Sequence, residues 1–194
     1  MTSSDGRRAF ALPGAEPHYG PDKIVDVEHI DLHLVPDIER AYLDARCTTT
    51  VRALDERVER LALDAVDLHV AGVERDGRAQ EWTSRAQTLE IVLDPPLAAG
   101  EKTSFTVSYS VDHPRHGLFF IRSTEEVRRT PHVWSQCQDT HARYWFPCFD
   151  YPHEKQTTSA TIVVPKGMFA LSNGALVERR DEGDRTIFRY RQDI

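Results

Sequence analysis

Between Trp134 and Lys155 the chain reads WSQCQDTHARYWFPCFDYPHEK, which concentrates most of its chemically capable side chains in one run. Two thiols, Cys137 and Cys148, sit there with His141, His153, Arg143, Asp150, Glu154 and the amides Gln136 and Gln138. Cys137 and His141 are four residues apart. A thiolate nucleophile needs a base that is itself oriented by a third group, and the run names none. The Cys-x10-Cys spacing lacks the further ligands of a structural zinc. His153-Glu154 is followed by Lys155, Gln156 and Thr157, so no second His completes a zinc-binding helix face. Outside the run, His29, Asp31 and His33 alternate along a predicted strand. Four strand residues span about 13 Å, against zinc–ligand distances near 2 Å, so a solvated strand face is expected there. Pro147 and Pro152 break helix and ladder alike, which makes the run an ordered functional loop on a rigid scaffold.

That scaffold is predicted to be β. Ile30, Leu32 and Leu34 alternate with Asp31 and His33 up to Val35-Pro36-Asp37. Cys47-Thr48-Thr49-Thr50-Val51 is rich in β-branched residues. Val58–Val73 also suits a helix, but its neighbours and Val70-Ala71-Gly72-Val73 favour strand. An Asp-Gly turn at Asp76-Gly77 follows, then a strand over Thr88–Leu93 closed by Asp94-Pro95-Pro96. Phe105, Val107, Tyr109 and Val111 alternate with Thr106, Ser108, Ser110 and Asp112. Beyond the loop, strands are expected at Thr158–Val164, Phe169–Leu171 and Thr186–Tyr190, with a hairpin turn at Asp181–Asp184. The fold class is therefore all-β, a mostly antiparallel sandwich or saddle.

The 194 residues allow one domain with a sizeable core, or at most two small ones. Residues 1–22, with scattered Gly, Pro and Ser, are expected to be a flexible lead-in. A net charge of −7 without a basic block argues against nucleic acid or an anionic membrane as partner. No apolar run approaches the roughly 20 residues that span a bilayer, and the N-terminus has no continuous apolar leader. The odd set Cys47, Cys137 and Cys148 suits reduced thiols, hence a cytoplasmic location.

Gln136-Cys137-Gln138, Ala142-Arg143, Phe146-Pro147-Cys148-Phe149-Asp150, Pro152 and Lys155 together resemble a known signature. It is that of the N-terminal domain of the M1 family of zinc aminopeptidases. Gly117-Leu118-Phe119-Phe120 and Ser172-Asn173-Gly174 fall where that family has comparable pieces, and the resemblance runs from Lys23 to Ile194. It implies a mostly antiparallel β domain over residues 23–194. It also implies that the parent protein removes N-terminal residues from peptides with zinc held by an HExxH helix. No HExxH and no GxMEN-type strand occur in this sequence. The chain is thus expected to hold no catalytic residue, zinc or other cofactor of its own and to be inactive alone. Its expected partners are peptide N-termini and the M1 catalytic domain, which would carry the zinc.

In the family, the second residue of the Gln-x-Glu pair usually offers a carboxylate to the peptide's α-amino group. Here that residue is Gln138, which accepts a hydrogen bond without bringing charge. A Gln-x-Gln pair resembles the branch with aminopeptidase B and the bifunctional leukotriene A4 hydrolase, where the glutamines contact the substrate main chain. On that resemblance Gln136 and Gln138 are the substrate-binding candidates. The competing expectation is that both amides only satisfy loop backbone groups. Arg143 with Asp150 is expected to pair and fix the loop, with Phe146–Phe149 packed beneath it. Two other functions stay open: a non-catalytic binding module on the same fold, and a parent with epoxide hydrolase activity.

Overall fold

The computed structural model describes residues 22–125 and 128–193, and within them nearly all the regular secondary structure is strand. The expected lead-in, residues 1–22, lies outside the described residues except for Asp22. In chain order the strands are β1 (Val25–Asp37), β2 (Tyr42–Ala53), β3 (Arg57–Asp64), β4 (His69–Arg75), β5 (Arg78–Ala79), β6 (Trp82–Arg85) and β7 (Thr88–Ala98). They continue with β8 (Lys102–Asp112), β9 (Leu118–Ile121), β10 (His132–Ser135), β11 (Thr157–Pro165), β12 (Ala175–Glu182) and β13 (Arg185–Gln192).

Eight of them form one sheet in the order β12-β13-β11-β1-β2-β8-β4-β5. A three-stranded sheet, β3-β7-β6, and the β10-β9 hairpin complete the layers. The pairing is antiparallel throughout except between β1 and β11, which run parallel with His29 opposite Thr157 and Asp31 opposite Ser159. The expected all-β, mostly antiparallel class is the one observed.

Side-chain alternation decides which face is buried. In β8, Thr103, Phe105, Val107, Tyr109 and Val111 point inward while Ser104, Thr106, Ser108 and Ser110 stay half-exposed. Leu61 and Leu63 of β3, with Leu89, Ile91, Leu93 and Leu97 of β7, are fully buried against them. The main core therefore lies between the large sheet and the small one. A second core of Val164, Ala170, Phe188 and Tyr190 fills the β11–β13 end.

Val58–Val73 is strand as expected, divided into two, β3 and β4, and two other expectations need correction. The chain turns through Ala65–Leu68, where Asp67 takes a positive φ of 56°, and β4 crosses into the large sheet beside β8. Phe169–Leu171 is not a strand. Both edges of β11 are already paired, to β1 and β13, so no ladder position is left for it. The segment instead buries Ala170 and exposes Phe169 and Leu171. The start of the loop run is itself strand, since Trp134 and Ser135 end β10, and Ala142–Tyr144 winds one 3-10 turn. The Asp76-Gly77 turn stands as expected: both residues have positive φ, and Arg75 pairs with Arg78 across it.

Candidate functional site

Arg143 holds the loop. Its Nη1 lies 3.0 Å from Asp64 Oδ1, its Nε donates to Asp150 Oδ2 at 3.0 Å, and its Nη2 donates to the Asp150 carbonyl at 3.3 Å. The Asp150 backbone N–H donates to Asp64 Oδ2 at 3.0 Å, which closes the ring of three side chains. The backbone repeats the attachment: Asp64 and Cys148 exchange both N–H···O bonds, and Val66 N–H donates to the Arg143 carbonyl. The loop is thus sewn to the end of β3. The expected Arg143–Asp150 pair is present, and Asp64 is the partner that sequence reasoning missed.

The other leg is tied to β9. Gln136 N–H donates to the Gly117 carbonyl at 2.8 Å, and His141 N–H donates to the Cys137 carbonyl at 2.9 Å. Gly117 has a φ of +74°, and a Cβ placed there would lie 2.1 Å from the His141 carbonyl oxygen. Around this junction, the His116, His141 and Tyr144 rings lie within 4.9–5.5 Å of one another. Phe119 stacks on Trp134 at 4.6 Å.

Gln136 and Gln138 are both exposed. The Gln136 side-chain oxygen accepts the Gln138 N–H at 3.2 Å, so part of its capacity goes to the loop itself. The Gln136 amide NH₂ and the whole Gln138 amide are left for solvent or a ligand. The peptide bond that follows Gln138 is cis.

The thiols are structural. Cys47 and Cys148 are buried, and Cys137 is half-buried. Burial pushes all three thiols up, Cys47 to about 12, and Cys148 is raised further by the Asp150 carboxylate. Trp145 Nε1 donates to Cys137 Sγ at 3.3 Å, which partly opposes the shift there. A thiol above its ordinary value of 9.0 in the folded state stabilises the fold fully below that pH. That contribution is lost as pH rises through the folded value. We expect the unfolding free energy of the protein to fall between about pH 9 and 12, and Cys47→Ala to flatten the fall. With a disulfide reagent at pH 8, Cys47 and Cys148 should react at the rate of unfolding; rapid labelling of either would refute the buried assignment.

His29, Asp31 and His33 do not converge on a metal. His29 bonds instead to Thr157 Oγ1 at 2.6 Å and Ser159 Oγ at 2.9 Å, and Ser159 donates to Asp31. Among the described residues no three His, Cys, Asp or Glu side chains are grouped to hold a metal ion. Their arrangement does not fit a catalytic zinc.

Comparison with known proteins places these features. The Peptidase M1 N-terminal domain family matches residues 26–194. The chain is 30% identical over 186 residues to leukotriene A-4 hydrolase of Xenopus laevis, covering 90% of this chain and 30% of that protein. It is 25% identical over 194 residues to leucine aminopeptidase 2 of Saccharomyces cerevisiae, covering 94% of this chain and 28% of that one. The crystal structure of an M1 zinc metallopeptidase from Deinococcus radiodurans superposes with a TM-score of 0.75 at 25% identity, over 88% of this chain and 39% of the other. Native yeast LTA4 hydrolase shares the fold, with a TM-score of 0.74 at 22% identity over 96% of this chain and 31% of that one. The chain spans less than a third of the length of these two curated relatives.

Proposed function

The chain belongs to the M1 peptidase family as its N-terminal domain, and from that premise we propose that it forms one wall of a peptide-binding cleft. The whole protein would be a zinc metallo-aminopeptidase, with zinc and the reacting groups supplied by a catalytic domain that pairs with this one. Residues 23–194 act as a single domain in this reading. Gln136 and Gln138 bind the main chain at the N-terminal end of the peptide.

The observation that carries the reading is the exposed Gln136/Gln138 pair on a loop whose own ionic and backbone needs are met. Arg143, Asp64 and Asp150 satisfy one another and fix the middle of the loop, while the Gln136 oxygen caps the Gln138 N–H and the remaining amide groups are exposed. Preorganised amides lose little freedom on binding, which is what makes a fixed loop useful in a cleft. An apolar groove of about 830 Å³ reaches Ser135, next in sequence to Gln136, and is bordered by Trp134, Trp145, Phe169 and Leu171. It is the face we assign to the catalytic domain. The three free cysteines suit a reducing, cytoplasmic setting.

The test uses the polypeptide that joins this domain to its zinc-bearing partner. Gln136→Ala and Gln138→Ala should each raise KM for an aminoacyl-anilide about tenfold, the loss of roughly one good hydrogen bond, without lowering Tm. An unchanged KM would overturn the site assignment. The 194-residue chain alone should not hydrolyse the anilide; hydrolysis by it with one equivalent of zinc would overturn the division of labour.

A further inference from the structure

Beneath the loop, between it and strands β1 and β2, lies a small cavity of about 110 Å³. Its lining is part apolar, with Val27, Ile30 and Phe149, and part oxygen-bearing, with Thr49, Asp150, Glu154 and Gln156. The Glu154 side chain is only 8% exposed. Its Oε1 is held by Lys23 Nζ at 2.9 Å, with His153 Nε2 3.8 Å away. Its Oε2 is buried and has no hydrogen-bond partner, and the Gln156 side-chain oxygen is in the same position. Two buried acceptors on one cavity, one of them a carboxylate oxygen, are a costly arrangement unless something positive or hydrogen-donating lies between them.

We propose that this cavity is a binding site for one monovalent alkali cation, held by Glu154 Oε2 and Gln156 Oε1. Oxygen-only ligands select a hard cation. The carboxylates Asp64, Asp150 and Glu154 outnumber the fixed cations Arg143 and Lys23 by one, and His153 beside Glu154 is the remaining titratable neighbour. A divalent ion such as calcium takes six to eight oxygens, commonly from several carboxylates, whereas here Glu154 Oε2 is the unpartnered carboxylate oxygen and Asp150 is engaged by Arg143. The volume admits an ion with a small complement of water to finish its shell. The ion would tie the Glu154–Gln156 end of the loop to its floor, as Arg143 ties the middle.

The test is thermal unfolding of the 194-residue chain at constant ionic strength, with tetramethylammonium chloride replaced stepwise by NaCl or KCl. The site predicts a saturable rise in Tm of a few degrees, a ligand-linkage response that tetramethylammonium is too large to give. Glu154→Gln should abolish the rise and equal or exceed the wild-type Tm in tetramethylammonium, because an uncharged amide replaces the buried carboxylate oxygen that has no partner. No rise, or an equal rise in Glu154→Gln, would overturn the site and leave the cavity to water. Should the variant fail to fold, wild-type crystals soaked in thallium(I), a heavy stand-in for potassium, decide the matter. An anomalous peak in coordination range of Glu154 Oε2 supports the proposal, and a cavity without one defeats it.

Discussion

Arg143→Ala should lower the unfolding free energy by about 3 kcal/mol, read from urea denaturation at pH 7. The side chains of Arg143, Asp64 and Asp150 are 17%, 19% and 9% exposed, so all three sit largely out of water. The guanidinium is their common partner, and its removal leaves two carboxylates close together with no counter-charge. The cost is therefore dominated by the penalty on what remains rather than by the pair's net worth. That makes a distinctive pattern. Arg143→Lys should recover only part of the loss, because a lysine ammonium cannot reach Asp64, the Asp150 side chain and the Asp150 carbonyl in one plane. Asp64→Asn in the Arg143→Ala background should restore stability by relieving the repulsion, although it destabilises alone. Additive losses in the double variant would show that the three groups do not act together.

Gly117→Ala should cost about 3 kcal/mol, and for a different reason. Alanine at a φ of +74° is strained by about 1 kcal/mol. Its Cβ would also stand 2.1 Å from the His141 carbonyl and 2.9 Å from the Trp145 ring, so backbone must move. Gly77 supplies the control: its φ is +73°, but a Cβ there meets nothing within 4 Å. Gly77→Ala should lose only the conformational part, about 1 kcal/mol. If the two variants lose equally, the close approach at Gly117 is not real. Because Gln136 N–H bonds to the Gly117 carbonyl, the variant should also shift the glutamine loop and change the fluorescence of the adjacent Trp145.

Those two positions show what a sequence reveals and what it withholds. The strand pattern was legible wherever one face is buried and the other wet, as in β8, because alternation records that difference directly. It failed over Ala65–Leu68, where apolar residues continue through a turn: Ala65, Val66 and Leu68 are all buried although the chain reverses there. At Phe169–Leu171 the residues suit a strand, but a strand also needs a free edge, and edges belong to topology. The four-residue β10 is too short for alternation to register beside Pro131. In the site, Arg143 and Asp150 are seven residues apart and their pairing could be read locally. Asp64 lies 86 positions before Asp150, and nothing along the chain marks it as the third member. The two glutamines were found by resemblance to a family signature, since an exposed amide has no periodic or compositional mark.

The parallel contact between β1 and β11 bears on how this domain comes into being. β1 lies inside the eight-stranded sheet, and β2, next in sequence, satisfies one of its edges at once. Its other edge waits for β11, where His29 meets a residue 128 positions later. On the ribosome, at about 5–20 residues per second, that edge stays open for roughly 6–26 seconds. Throughout that interval a row of unpaired N–H and C=O groups is available to any passing extended chain. Pairing of β1 with β11 is a long-range closure, the kind of topology that is expected to fold slowly. The polar face of β1, with Glu28, His29, Asp31 and His33 along the strand, puts charge beside that waiting edge, which is how natural sheets discourage the wrong partner until the right one arrives.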